Sequence, residues 1–318
     1  MKARRIVVLD GHTLNPGDLD WTGLAELGPL EVHAWTAPAE VAARIAGADV
    51  VFTNKTPLKA ETIAAARGLR FVGVLATGYN IVDVAAAAAA GVRVANVPGY
   101  GTAAVAQHVF ALLLDLTNHA AFEGAAVAAG DWTRSRDFCF LRRPIADLEV
   151  RTRGVVGWGE IGRAVGRIGA AFGMKVLASA QTPKSDPSAE FVGVEELFAR
   201  SDVDSLHGPL TDSTRGLVSA AMLARMKPSA YLINTARGPL IDEAALAAAL
   251  RDGVIAGAGL DVVCVEPMRA DCPLLGAPRC VITPHVAWAS PDARRRLMRE
   301  TVENLRAFLA GERRNAVA

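Results

Sequence analysis

Three residues in the last third of the chain, Arg237, Glu266 and His285, are of types that do acid–base and anion chemistry. Each closely follows a short apolar run: Tyr231-Leu-Ile-Asn234, Ala258-Gly-Leu-Asp-Val262 and Cys280-Val-Ile-Thr283. Such runs read as buried strands of a parallel sheet, whose carboxyl ends gather along one edge where ligands bind. A fixed cation, a carboxylate and an imidazole therefore converge there, although 29 and 19 residues separate them in sequence. Reduction of a 2-keto acid needs such a set. The forked guanidinium of Arg237 suits holding a carboxylate and polarising the adjacent carbonyl. His285 suits protonating the new oxygen near neutral pH, and Glu266 beside it favours the protonated imidazole. Taken singly, each has a plainer reading: a surface arginine, a Glu266-Pro267 turn, a loop histidine. The combination carries the expectation. With a hydride supplied by nicotinamide no metal is needed, and none is expected.

The hydride source is signalled upstream by Gly157-Trp-Gly159-Glu-Ile-Gly162, preceded by apolar Val155-Val156 and followed by Ile161, Val165, Ile168 and Phe172 at helical spacing. The first glycine permits a tight turn, the second lets backbone approach a pyrophosphate, and the third lets helix pack on strand. The free N–H groups of the helix start then face the phosphates. A NAD site usually places an acid at the end of the next strand to bind the ribose diol. Here that strand reads Lys175-Val-Leu-Ala-Ser179, Ala180 stands at the acid's place, and Asp186 lies further along. Losing that charge removes repulsion toward a 2′-phosphate, which Ser179, Gln181, Thr182 or Lys184 could contact. NADP is favoured over NAD. His207 after Leu206 reads as part of a loop lining the cofactor site, and His12, His33, His108 and His119 as structural or exposed.

These groups need a scaffold, and 318 residues suffice for two domains. Hydrophobic residues make up 51% and charged ones 21%, with a formal net charge of +1, so nothing electrostatic points to nucleic acid or membrane partners. The apolar start Ile6–Leu9 is too short for a signal peptide, and no run approaches a membrane span. Cys139, Cys264, Cys272 and Cys280 lack metal spacing and read as reduced thiols of a cytoplasmic protein.

The first hundred residues alternate strands (5–9, 31–35, 49–52, 70–75, 92–95) with helices such as 39–46 and 83–90, the latter capped by Asp83 and ended by Gly91. That alternation argues for a doubly wound parallel sheet. One nearly continuous helix is expected from Thr102 to Ala129, apolar over so much of its surface that another domain or subunit must cover it; it is read as the crossover into a second domain and as a dimer contact. A second α/β unit follows, with strands at 154–157, 175–179, 203–206, 231–234, 256–261 and 281–283. The final helix, 291–311, returns to the first domain. The expected division is residues 1–100 with 287–318 as the substrate domain and 101–286 as the dinucleotide-binding domain, with a cleft between them.

At these residues the chain resembles the D-isomer-specific 2-hydroxyacid dehydrogenase family over essentially its whole length. The matching stretches are Gly157-Trp-Gly-Glu-Ile-Gly162, Ser205-Leu-His-Gly-Pro-Leu-Thr211, Met226-Lys-Pro228, Ile233-Asn-Thr-Ala-Arg-Gly238, Gly259-Leu-Asp-Val262, Glu266-Pro267 and Thr283-Pro-His285. Leu75-Ala-Thr-Gly-Tyr-Asn-Ile-Val-Asp83 and His285-Val-Ala-Trp-Ala-Ser290 look like its glycerate dehydrogenase (hydroxypyruvate reductase) branch. The resemblance implies a Rossmann cofactor domain inserted into a flavodoxin-like substrate domain, and a homodimer. It implies Arg237 as substrate-binding catalytic residue, Glu266 as partner and His285 as acid/base. Backbone N–H groups of Leu75, Ala76, Thr77 and Gly78 would bind the substrate carboxylate. Trp288, three residues past His285, reads either as the roof of a small-substrate pocket or as a core residue of a domain interface. Thr102, Glu160, Ile161, Gly208 and Pro209 join the cofactor set, with Thr235, Ala236 and Asp261 along the nicotinamide. The implied reaction is NAD(P)H-dependent reduction of hydroxypyruvate or glyoxylate to D-glycerate or glycolate. Alternatives on the same machinery are a D-lactate-type acid, phosphite, or a non-enzymatic sensor of the cofactor. Departures from the family pattern include Ala180, Asn80, Gln107, Gly208 and Val263.

Overall fold

The computed structural model describes residues 2–182 and 185–318. Lys184, one of the side chains expected near a 2′-phosphate, lies outside them. The chain divides into two compact units: Met1–Gly101 with Ala289–Ala318, and Thr102–Trp288.

The first unit carries a five-stranded sheet of β1 (Ile6–Val8), β2 (Leu30–Val32), β3 (Val50–Thr53), β4 (Phe71–Val74) and β5 (Arg93–Ala95), in the order β2-β1-β3-β4-β5 and parallel throughout. Strands β1, β3 and β4 are buried along their whole length, as continuous apolar runs covered on both faces must be. Helices α1 (Thr22–Ala25), α2 (Val41–Ile45), α3 (Ala60–Ala65) and α4 (Val84–Ala89) connect them. The Asp83 side chain accepts from the N–H of Ala86 and Gly91 takes φ 70°, so the alanine-rich stretch is an ordinary capped helix. Residues 39–46 instead open with a 3₁₀ turn, Pro38–Glu40, because a proline at the first position and the Glu40 side chain on the Ala37 N–H favour a tight start.

The second unit begins with α5 (Thr102–Asn118) and α6 (Ala120–Ala128). The single long helix expected here is broken at His119, which adopts φ 53°. The Thr117-Asn118-His119 run explains the break: these are poor helix formers, and the Thr117 hydroxyl bonds back to the Leu113 carbonyl. Nor does the apolar face of α5 wait for another domain or subunit. Val109, Leu112, Leu113 and Leu116 are buried within the same unit. Seven parallel strands follow: β6 (Thr152–Val156), β7 (Lys175–Ser179), β8 (Glu190–Phe191), β9 (Val203–Leu206), β10 (Tyr231–Asn234), β11 (Gly257–Leu260) and β12 (Cys280–Ile282), in the order β12-β11-β10-β9-β6-β7-β8. The order reverses between β6 and β9, which makes the doubly wound dinucleotide-binding arrangement with its switch point at those strand ends. The two-residue edge strand β8 escaped the sequence pattern, being too short to show alternation. Helices α7 (Glu160–Ala171), α8 (Val194–Arg200), α9 (Ala220–Leu223) and α10 (Glu243–Asp252) complete the unit, and α11 (Pro291–Leu309) belongs to the first.

Candidate active site

Strands β10, β11 and β12 are neighbours in register, Ile233 opposite Gly259 and Gly259 opposite Val281. Their carboxyl ends deliver Arg237, Glu266 and His285 from adjacent positions, spaced by the roughly 4.8 Å of a sheet.

Each side chain is held by its own loop. The buried amide of Asn234 accepts from the Ala236 N–H at 2.9 Å and donates to the Arg237 carbonyl at 2.8 Å, closing the turn that presents Arg237. Arg237 Nη1 donates to the Ala236 carbonyl at 2.6 Å, so its place beside the other two comes from strand order. Gly238 lets this turn pass against the next loop: a Cβ there would sit 2.0 Å from the carbonyl carbon of Val263. That loop carries Glu266, whose Oε1 accepts from the Val263 N–H at 3.3 Å. Its other oxygen, Oε2, lies 2.7 Å from His285 Nδ1, with both side chains partly open.

His285 has φ 55°, a left-handed backbone that costs a non-glycine residue energy and persists where surroundings enforce it. Asp261 does much of that enforcing. It is 1% exposed, and its carboxylate accepts from the N–H groups of Val286 at 2.9 Å and Ala287 at 2.8 Å and from the Thr283 hydroxyl at 2.6 Å. The Trp288 indole donates to the His285 carbonyl at 2.9 Å, which ties the ring to the loop that carries His285. His108, on α5, meets Thr283 Oγ1 at 2.9 Å. Neither the anchoring role of Asp261 nor the placement of His108 was legible in the sequence; an Asp just past a strand end was the one available hint.

The dinucleotide loop joins β6 to α7. Gly157 takes φ 99°, and a Cβ there would strike the Gly208 N–H at 2.5 Å; one on Gly162 would lie 2.1 Å from the Gly157 carbonyl oxygen. Gly159, by contrast, faces open space and caps α7 without any side-chain hydrogen bond. An uncovered glycine at a helix start with free N–H groups fits a pyrophosphate. The Thr235 hydroxyl is buried without a hydrogen-bond partner among the described residues, an orphan that a bound ligand group would satisfy. These features fit a dinucleotide. The Thr102 hydroxyl donates to Glu160 at 3.4 Å. Ile161 packs from the first turn of α7 into the core of the unit.

At the end of β7, Ser179 and Ala180 are half-buried and Gln181 and Thr182 exposed. Asp186 is bonded instead to the glycine loop, its Oδ2 accepting from the Trp158 indole at 2.9 Å while the Ser188 hydroxyl bonds Oδ1 at 2.6 Å. The Ser188 hydroxyl and then the indole hold this carboxyl down at about 2. His207 sits at the end of β9 with Gly208 and Pro209, its Nε2 2.9 Å from Ser205 Oγ. Burial, helped by the Arg153 charge, pushes its imidazole down to about 3, so it is neutral at working pH and no acid catalyst.

Residues 110–287 match the family model for the D-isomer specific 2-hydroxyacid dehydrogenase NAD binding domain. The hydroxypyruvate reductase of Blautia hydrogenotrophica is 47% identical over 319 residues, covering 98% of this chain and 99% of that protein. The chain belongs to the D-isomer specific 2-hydroxyacid dehydrogenase family. It is thus an NAD(P)-dependent oxidoreductase acting between small 2-keto and 2-hydroxy acids. The glycerate dehydrogenase of Methylorubrum extorquens is 40% identical over 316 residues, 99% of each chain. Among solved structures, an NADPH-dependent glyoxylate/hydroxypyruvate reductase from Sinorhizobium meliloti, in complex with NADP and malonate, is 31% identical with a TM-score of 0.86, covering 99% of this chain and 97% of that one. As in the family, two parallel-sheet α/β domains carry the machinery.

Proposed function

We propose that this family member reduces hydroxypyruvate and glyoxylate, forming D-glycerate and glycolate. The observation that carries the reading is the Glu266–His285 pair at 2.7 Å, presented on the strand end next to that of Arg237. Hydroxypyruvate and glycerate appear in the names of the whole-length relatives, and glyoxylate in that of the Sinorhizobium meliloti reductase.

A bound nicotinamide would supply the hydride; Gly157, Gly159, Gly162 and the α7 start would hold the dinucleotide, together with Thr235, Ala236 and Asp261. The protein's part is charge and proton placement. Arg237 pairs with the substrate carboxylate and draws electron density from the ketone oxygen. The Leu75 N–H donates to the Thr53 carbonyl at 2.8 Å and is not open to a substrate, contrary to the expectation from the sequence; Ala76, Thr77 and Gly78, which follow β4, offer their backbone N–H groups to a carboxylate. Glu266 occupies Nδ1 of His285, which leaves Nε2 to deliver the proton to the developing alkoxide. Trp288, tied to the His285 carbonyl, limits the room for the substrate's third carbon. Oxidation of the hydroxy acid runs the same proton path backwards.

The cofactor is NADPH in preference to NADH, because no carboxylate stands at residue 180 and that of Asp186 is already engaged by Trp158 and Ser188. The protein is a cytoplasmic homodimer, and the exposed Phe122, Trp132, Phe138, Leu141 and Ile145 of the second unit suit self-association.

Initial rates on hydroxypyruvate and glyoxylate, with NADH and NADPH at equal concentration, test the reading. Fast turnover with preference for NADPH supports it in full, fast turnover with NADH reverses the cofactor assignment, and no turnover with either overturns the substrate assignment.

A further inference from the structure

His108 enters the second unit on its first helix, α5, 175 residues before the strand end that it touches. Its Nε2 lies 2.9 Å from Thr283 Oγ1 and 3.5 Å from Asp261 Oδ1. The direction of these bonds can be deduced. The Asp261 carboxylate is an acceptor, and at 2.6 Å the Thr283 hydroxyl donates its single proton to it. Thr283 Oγ1 therefore has only lone pairs to offer His108, so Nε2 carries a proton and donates. The chain of donors runs His108 to Thr283 to Asp261, and Asp261 in turn receives the N–H groups of Val286 and Ala287. Those two residues directly follow His285, whose backbone is left-handed.

We propose that His108 is a positioning residue for the acid/base group, acting through Thr283 and Asp261 on the loop that holds His285 in its left-handed conformation. The inference rests on the reading of His285 as acid/base. Without the Nε2 proton, Thr283 is free to rotate its hydroxyl away, for instance to the Leu260 carbonyl 3.5 Å off. Asp261 then loses one of its three donors. The loop keeps its fold but samples more conformations, and His285 meets the ketone oxygen in fewer of them. Such a defect lowers turnover and leaves substrate and cofactor binding nearly intact, because His108 contributes to neither.

The test compares wild type, His108→Ala, His108→Gln, Thr283→Val and the double variant His108→Ala/Thr283→Val, with His285→Ala run alongside. Steady-state rates on hydroxypyruvate give kcat and KM, and quenching of tryptophan fluorescence by NADPH gives a cofactor Kd. His108→Ala is expected to lower kcat on the order of 10-fold, a fraction of the roughly 100-fold that a 1 Å misplacement can cost. KM and Kd should stay within about 3-fold of wild type, the signature of a loss confined to the chemical step. Glutamine, whose amide can still donate, should recover most of the rate, and the double variant should be no worse than either single one. Wild-type kcat in both His108→Ala and Thr283→Val overturns the proposal while an inactive His285→Ala keeps the acid/base assignment. A loss shared equally by kcat, KM and Kd, unrescued by glutamine, also overturns it. Full turnover by His285→Ala removes both the assignment and the inference built on it.

Discussion

Oε2 of Glu266 lies 2.7 Å from Nδ1 of His285, a contact made across two loops that leave neighbouring strands. The pair engages Nδ1 and leaves Nε2 as the ring nitrogen for the proposed proton transfer. His285→Ala should therefore lower kcat by about 100-fold or more, the scale of general acid catalysis. Glu266→Gln keeps a polar partner of the same shape without charge, and should lower kcat by roughly 10-fold with a smaller change in KM. Arg237→Ala should raise KM and lower kcat together, and Arg237→Lys should recover little, since an ammonium has no planar fork. Steady-state kinetics on the four proteins checks all three; near-normal turnover removes a residue from its assigned role.

The dinucleotide loop separates two uses of glycine. Gly162 has the Gly157 carbonyl oxygen 2.1 Å from where a Cβ would stand, whereas Gly159 faces open space. Gly162→Ala should destabilise the fold by about 1–3 kcal/mol, as overpacking does. Gly159→Ala should melt like wild type yet bind NADPH at least about 10-fold more weakly, because the added methyl occupies the approach of the pyrophosphate. Thermal melts and cofactor titrations distinguish the two, and equal behaviour of the variants would contradict the geometry.

The proposed preference for NADPH is tested at residue 180. Ala180→Asp restores a carboxylate at the end of β7, where it accepts from a ribose diol and repels a 2′-phosphate. The ratio of kcat/KM for NADH over NADPH should rise by at least about 10-fold, a differential of roughly 1.4 kcal/mol. No movement of that ratio would place the discriminating contact elsewhere.

Asp204 supplies a pH test of the core. It is fully buried on β9, and the nearby Ser201 hydroxyl donates to the Leu197 carbonyl, leaving the carboxyl without a hydrogen-bond partner among the described residues. Burial pushes its carboxyl well above the ordinary value of 3.8. A folded-state pKa above the unfolded one means that the folded protein holds a proton which the unfolded chain releases. Its stabilising contribution is thus present below 3.8 and is lost as pH rises through the window up to the folded value. Asp204→Asn removes that dependence. Its melting temperature relative to wild type should climb between about pH 4 and pH 7; a constant difference would show that Asp204 ionises normally in the fold.

The sequence by itself determined the parallel strands, the dinucleotide loop and the three residues past the ends of β10, β11 and β12. Those features are written locally: continuous apolar runs report burial on both faces, glycine spacing reports backbone approach, and strand ends must gather on one edge. It misjudged the 102–129 stretch, where apolar periodicity continues straight through the break at His119 and cannot say that the sheet of the same unit covers α5. Only the tertiary structure decided what holds the site. His108, Asp261 and Thr283 come from separate elements, and their hydrogen bonds depend on where α5 settles across β11 and β12. Gly238 owes its necessity to Val263, a neighbour in space alone. Periodicity reports which face of an element is covered; which polar atoms then meet depends on the positions of loops and helices to within about 0.5 Å, and that is set by the packing of the whole unit.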